Sequence, residues 1–198
     1  MRKLALFASV CAVLLFANFA HSQQIDVAGG AGEVYSSKNY NASLAYLPPA
    51  ETGGIYPSFT IDRIKENHFG YSAEFVTVYK KQLYNGYQEY RPFLYDVNGL
   101  FTHHVAKRAN LDLTAGAGGE TVLFYAPGTC QYSTGCITHL NSNHFLVHAG
   151  AGFRYTVWRR VFVRPEANYY YILHNTQDFH SSNVIRLGAS VGYTFGGK

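Results

Sequence analysis

From residue 184 to 195 the chain alternates without a break, with Ile185, Leu187, Ala189, Val191, Tyr193 and Phe195 on one parity and Arg186, Gly188, Ser190, Gly192 and Thr194 on the other. Strand side chains point to opposite faces with a period of two, so this segment is a strand with one apolar face and one narrow polar face. The pattern recurs seven times before it. Predicted strands cover about 24–36, 54–64, 69–80, 89–103, 110–125, 143–156, 161–173 and 183–195. In the sixth, Phe145, Val147, Ala149, Ala151, Phe153 and Tyr155 oppose Leu146, His148, Gly150, Gly152 and Arg154. The first two are less regular, because Glu33 and Arg63 fall on the apolar parity; this predicts a bulge or an early end of the apolar band there.

The connections alternate in length. Those around 65–68, 105–109 and 158–160 are short, those at 37–53, 127–142 and 174–182 are long and polar, and 81–88 is intermediate. Short turns at one end and long loops at the other, with both chain termini at the short-turn end, are the asymmetry of a barrel that crosses a membrane. The predicted fold class is therefore all-β, an eight-stranded antiparallel up-and-down transmembrane β-barrel. A soluble exported lipocalin-like binding barrel has the same period, and the polar parity separates the two. Gly116, Gly118, Gly150, Gly152, Gly188 and Gly192 with sparse charges suit a tight lumen better than a solvated surface.

Composition points the same way. Charged residues make up 14% of the chain, against about 25% in an ordinary soluble protein, and aromatics reach 16% through 17 Tyr and 14 Phe. Such a chain has little with which to clothe a water-facing surface. At the N-terminus, Met1-Arg2-Lys3 leads into an apolar stretch from Leu4 to Phe16, and Ala20-His21-Ser22 offers small residues before Gln23. This reads as a signal peptide over 1–22, leaving a barrel domain over 23–198. The stretch is shorter than the roughly 20 apolar residues that a spanning helix needs. Cleavage also removes Arg2 and Lys3, so the net charge of +4 shrinks toward neutrality and no nucleic-acid partner is implied.

Arg164-Pro165-Glu166-Ala167-Asn168-Tyr169 in the seventh strand and Leu187 to Phe195 in the eighth carry a resemblance. The mature chain is similar to the small eight-stranded outer-membrane β-barrel proteins of the OmpA/OmpX type. The resemblance implies residence in the cell outer membrane, with lipid and lipopolysaccharide as surroundings and the barrel assembly machinery as a partner during biogenesis. In that family an aromatic closing the last strand is read by the machinery. Phe195 matches it, with Val191 and Tyr193 on the same parity, although Gly196-Gly197-Lys198 follow.

Eight strands enclose an interior that side chains fill, so a diffusive pore is not expected. The polar parity carries Asp62, Glu74, Asp96, Asp112, Glu120 and Glu166 with Arg154, Arg164 and Arg186. Charges inside a membrane protein must find partners, and these predict a network of lumen salt bridges. Cys130 and Cys136, in a Gly-, Ser- and Thr-rich stretch read as a loop, predict a disulfide in an oxidising compartment. His144 and His148 share a strand face but stand about 13 Å apart, too far to ligate one metal ion. No metal or cofactor is expected. Asp178-Phe179-His180-Ser181-Ser182-Asn183 has a faint likeness to the His-x-Ser-Asn of rim-located lipid A acyl hydrolases, but no acid follows Ser182. The expected role is non-catalytic: structural in the envelope, or surface interaction through the exposed loops with an unknown ligand.

Overall fold

The computed structural model describes residues 24–37, 49–65, 68–86, 88–131 and 135–196, with side chains described outside 126–138. The strands are β1 (Gln24–Ser36), β2 (Ile55–Ile64), β3 (Phe69–Thr77), β4 (Gln82–Tyr84), β5 (Gln88–Ala106), β6 (Ala109–Gln131), β7 (Gly135–Trp158), β8 (Val161–Ile172) and β9 (Asn183–Phe195). Hydrogen bonding runs β3-β2-β1-β9-β8-β7-β6-β5, and β3 also pairs with β5, which closes the sheet. Every pairing is antiparallel. Eight long strands thus form a closed barrel, while β4 folds back on the first residues of β5 in the loop between β3 and β5. Asn85 and Gly86 make that reversal, both at positive φ (50° and 81°), a conformation these two residue types tolerate best.

Burial follows the parity read from the sequence. On β9, Val184, Arg186 and Ser190 are buried, while Leu187 is 51% and Val191 58% exposed. The outward apolar band continues through Phe59, Ile61, Phe75, Val97, Leu113 and Val147. Aromatic residues gather at its margins: Phe69, Tyr71, Tyr155, Trp158, Tyr193 and Phe195 toward the turn end, and Tyr35, Tyr79, Tyr169 and Tyr171 toward the loop end. An apolar belt between two aromatic rims, around a polar interior, is the reverse of a soluble cup. Lumen glycines let the strands close. A Cβ at Gly118 would run into the Tyr95 carbonyl and the Asp96 backbone, and one at Gly192 would run into the Phe162 ring.

Three features differ from the sequence expectation. Of the two outcomes expected at the first two strands, the bulge does not form, since the register of β1 and β2 is continuous from Gln24↔Ile64 to Glu33↔Ile55. Glu33 is tolerated on the outer face because it lies at the loop end, where it accepts a 2.8 Å hydrogen bond from the Tyr35 hydroxyl. Second, the segment read as a loop at 127–142 is mostly strand. After a register shift between Tyr125 and Thr129 the pairing resumes at Thr129↔Ile137, Cys130↔Cys136 and Gln131↔Gly135. At 23 and 24 residues, β6 and β7 are more than twice the 9–11 residues that a tilted strand needs to cross a bilayer, so their hairpin stands clear of the rim. Third, the lumen is not polar throughout. Val34, Tyr56, Val76, Val78, Leu94, Leu146, Tyr170, Ile172 and Val184 form a buried apolar layer across it near the loop end.

Candidate functional site

The lumen is built in layers, each from one or two inward positions per strand. Nearest the turns, Arg154 from β7 reaches Asp112 on β6, with its Nε donating at 2.9 Å, and pairs with Asp26 on β1. Arg164 from β8 donates to Asp62 on β2 at 2.6 Å and to Glu166 at 3.2 Å. Thr102 donates to the other oxygen of Asp112 at 2.9 Å. One step further in, Arg186 on β9 joins Glu74 on β3 to Glu166, the latter at 2.9 Å, and the Tyr170 hydroxyl donates to Glu74 at 3.2 Å. All three guanidinium groups are buried. Because each cation touches carboxylates from different strands, the network ties β1, β2, β3, β6 and β8 to the arginines' own strands, β7, β8 and β9.

Asp26 belongs to this layer but was missing from the sequence reading, although it shares parity with Ala28, Gly30 and Gly32. With it, the middle and turn-end layers hold six carboxylates, namely Asp26, Asp62, Glu74, Asp96, Asp112 and Glu166, against Arg154, Arg164, Arg186 and the imidazole of His148. His148 lies 3.4 Å from Asp96, is hydrogen-bonded to Asn98 and Asn168, and stacks on the Tyr170 ring at 4.8 Å. Glu74, Asp96 and His148 bring ligand atoms within 4.8 Å of one another, an approach made across strands that spacing along a single strand does not reveal. They could hold a metal ion, yet each already has a partner: Arg186 for Glu74, Asn98 for Asp96, and the two asparagines for His148. Beside them lies a cavity of about 30 Å³, bordered by Thr60, Ser72, Asn98 and Asn168, with room for one or two water molecules.

Above the apolar layer is the mouth. Tyr90, Val122 and Phe179 pack together with Tyr84 and Phe124 against them. Glu120, expected in the arginine network, instead faces Glu51 of the β1–β2 connection, and both are fully buried. Burial pushes the Glu51 carboxyl well above the ordinary range, to about 7. Next to them His144 Nε2 lies 2.8 Å from Asp178 and 3.0 Å from Ser142 Oγ. A nucleophile relay needs acid and hydroxyl on opposite ring nitrogens. Here both meet the same nitrogen, under the loops and away from the lipid face.

The rim sequence His180-Ser181-Ser182-Asn183 is not assembled as a hydrolase site. The His180 amide donates to the Pro49 carbonyl at 2.9 Å, no hydrogen bond joins His180 to Ser182, and the nearest acid in sequence, Asp178, is engaged by His144. Val191, Tyr193 and Phe195 project outward, with Tyr193 and Phe195 edge to face at 4.8 Å. Residues 1–22, read as a signal peptide, lie outside the described residues, as do the side chains of Cys130 and Cys136.

No protein family and no curated protein matches the sequence. Solved structures do match in fold. Neisserial surface protein A superposes with a TM-score of 0.58 at 10% identity, over 88% of this chain and 98% of that one. A major outer membrane protein from Thermus thermophilus gives 0.61 at 10% identity, over 88% and 100%. Ail, the attachment invasion locus protein of Yersinia pestis, solved with the heparin analogue sucrose octasulfate, gives 0.54 at 12% identity, over 87% and 97%. The chain thus has the fold of the small eight-stranded outer-membrane barrels, and its belted apolar exterior fits it to that membrane.

Proposed function

We propose that this protein is a non-conducting outer-membrane anchor that presents a projecting hairpin and loops for contact at the cell surface, with no catalytic role. The observation that carries the reading is the contrast between a filled lumen and a β6–β7 hairpin that rises beyond the rim. Nothing about a filled barrel requires so long a hairpin, so its length belongs to what it meets outside. Residues 126–142 contain no Lys, Arg, Asp or Glu. Contact there rests on tyrosine, hydroxyl and amide groups rather than on ion pairing, unlike what a sulfated ligand such as the one on Ail would ask for.

Two supporting readings belong with it. The Cys130↔Cys136 backbone pairing fits a disulfide that stiffens the hairpin, because directly opposed antiparallel residues stand about 4.5–5.5 Å apart at Cα, inside the usual disulfide range. Val191, Tyr193 and Phe195 serve as the assembly signal, and outer-leaflet lipopolysaccharide surrounds the belt. An epitope inserted after Gln131 tests the main proposal. Antibody should label intact cells; labelling only after permeabilisation would refute the orientation and with it the role.

A further inference from the structure

We infer that the mouth of the barrel holds a divalent cation between Glu51, Tyr56, Glu120 and Asn175, pinning two surface connections to the barrel wall. The four residues come from separate places: the β1–β2 connection, the loop end of β2, the loop half of β6, and the short 3-10 turn Asn175–Gln177. All four are fully buried. Both oxygens of Glu51, both of Glu120, the Tyr56 hydroxyl and Asn175 Oδ1 are buried and make no well-formed hydrogen bond, although Glu51 lies close enough to the Glu120 carboxyl and the Asn175 side chain to interact with both. That is a buried set of six oxygens with no basic side chain among them.

The amide of Asn175 is oriented by its other end, because Nδ2 donates to the Ser181 carbonyl at 3.0 Å and leaves Oδ1 free. The two glutamates face each other, both act on the Tyr56 hydroxyl, and Asp178 adds a third carboxylate nearby. Asp178 is matched by His144. Among the described residues no Lys or Arg pairs with Glu51 or Glu120, in contrast to the lumen below, where Glu74 and Glu166 each have an arginine. Two buried carboxylates side by side need a positive charge or a proton. The donors are oxygen only, with no imidazole or thiolate among them, which selects a hard ion such as calcium or magnesium over a transition metal.

The location gives the ion something to do. The Pro49 carbonyl accepts from the His180 amide, so the β1–β2 and β8–β9 connections already touch, and the Gly53 amide ties the first of them to β1 through the Val34 carbonyl. A cation shared by Glu51, Asn175 and Glu120 locks both connections to β6.

Calorimetric titration of calcium chloride into the full mature barrel, refolded in detergent, stripped with chelator and held at pH 7.5, tests this. Saturable binding is expected, weakened at least tenfold in Glu120→Gln and in Glu51→Gln. Both substitutions keep shape and remove charge, and heat-modifiable gel mobility verifies that each variant is folded. Glu33→Gln, which removes an exposed carboxylate elsewhere, should bind as the parent does. Calcium should also protect the loops from protease in the parent and in Glu33→Gln, and not in the two mouth variants. Absence of saturable binding, or parent-like affinity in both mouth variants, would overturn the site. So would loops protected by acidification alone and indifferent to calcium, the behaviour of a carboxyl pair that merely shares a proton.

Discussion

Arg164 shows how much one side chain can carry in this lumen. Its guanidinium reaches Asp62 at 2.6 Å and Glu166 at 3.2 Å, and it is buried with them. An exposed pair of this kind contributes at most about 1 kcal/mol, but removing one member of a buried pair costs about 3–5 kcal/mol, because the other charge is left without compensation. Arg164→Met should therefore lower the urea midpoint of the refolded barrel by a clearly measurable step. If the cost arises from the stranded carboxylate, Asp62→Asn in the Arg164→Met background should recover part of the loss. On an otherwise unchanged chain Asp62→Asn should itself destabilise, so the double variant should be more stable than the sum of the two single losses implies. Additive losses would show that Asp62 and Arg164 are held by their other neighbours and not by each other.

At the scale of the element, strands were legible and their outer ends were not. The parity of β9 and of β5 to β8 is set by lipid on one side and a crowded lumen on the other, so a period of two survives wherever both constraints act. Beyond the rim neither does. The continuation of β6 and β7 through Thr129 and Ile137 is a backbone pairing in a Gly-, Ser- and Thr-rich stretch that resembles a loop. The hairpin should accordingly be separable from the barrel. Cys130→Ser with Cys136→Ser should leave membrane insertion and heat-modifiable mobility unchanged while making residues 126–142 more sensitive to protease, because a bridge over so short a loop orders little beyond it. The last strand is a different case. Phe195 is half exposed at the turn end and closes β9 against Ile25 of β1, the seam where the barrel shuts. Phe195→Asp should cut the amount of folded protein in the outer membrane and leave unfolded chain in the periplasm; normal levels would show that the terminal aromatic carries no assembly information.

The lumen network itself was mostly readable, since Asp62, Glu74, Asp112, Arg154, Arg164, Glu166 and Arg186 each fall on the polar parity of their strands. What the sequence hid was partnership around the barrel. Asp26 meets Arg154 across the closure between first and later strands, Glu120 leaves the network for Glu51, and His148 joins Asp96 from another strand. Contacts of this kind depend on the shear of the closed sheet, which no single strand records.

For the whole molecule, the consequence is two seals in series with different chemistry. The turn-end half of the bore is blocked by salt-bridged side chains, and the loop-end part by the apolar layer from Val34 to Val184, capped in turn by Tyr90, Val122 and Phe179. The cavity among the lumen side chains holds only about 30 Å³, enough for isolated water and too little for a hydrated ion. An ion on its way through would have to shed its shell in a layer with little polar surface to replace it, whatever the state of the charges below. Opening one seal therefore leaves the other. Planar-bilayer recordings should stay silent for the parent protein and for Arg164→Met alike, even though the variant is less stable, because the substitution leaves Leu94, Leu146 and Ile172 in place. Discrete conductance that appears only in Arg164→Met would mean that the charge network alone closes the bore. Conductance in the parent would refute the filled lumen altogether, and with it the reading of this barrel as an anchor.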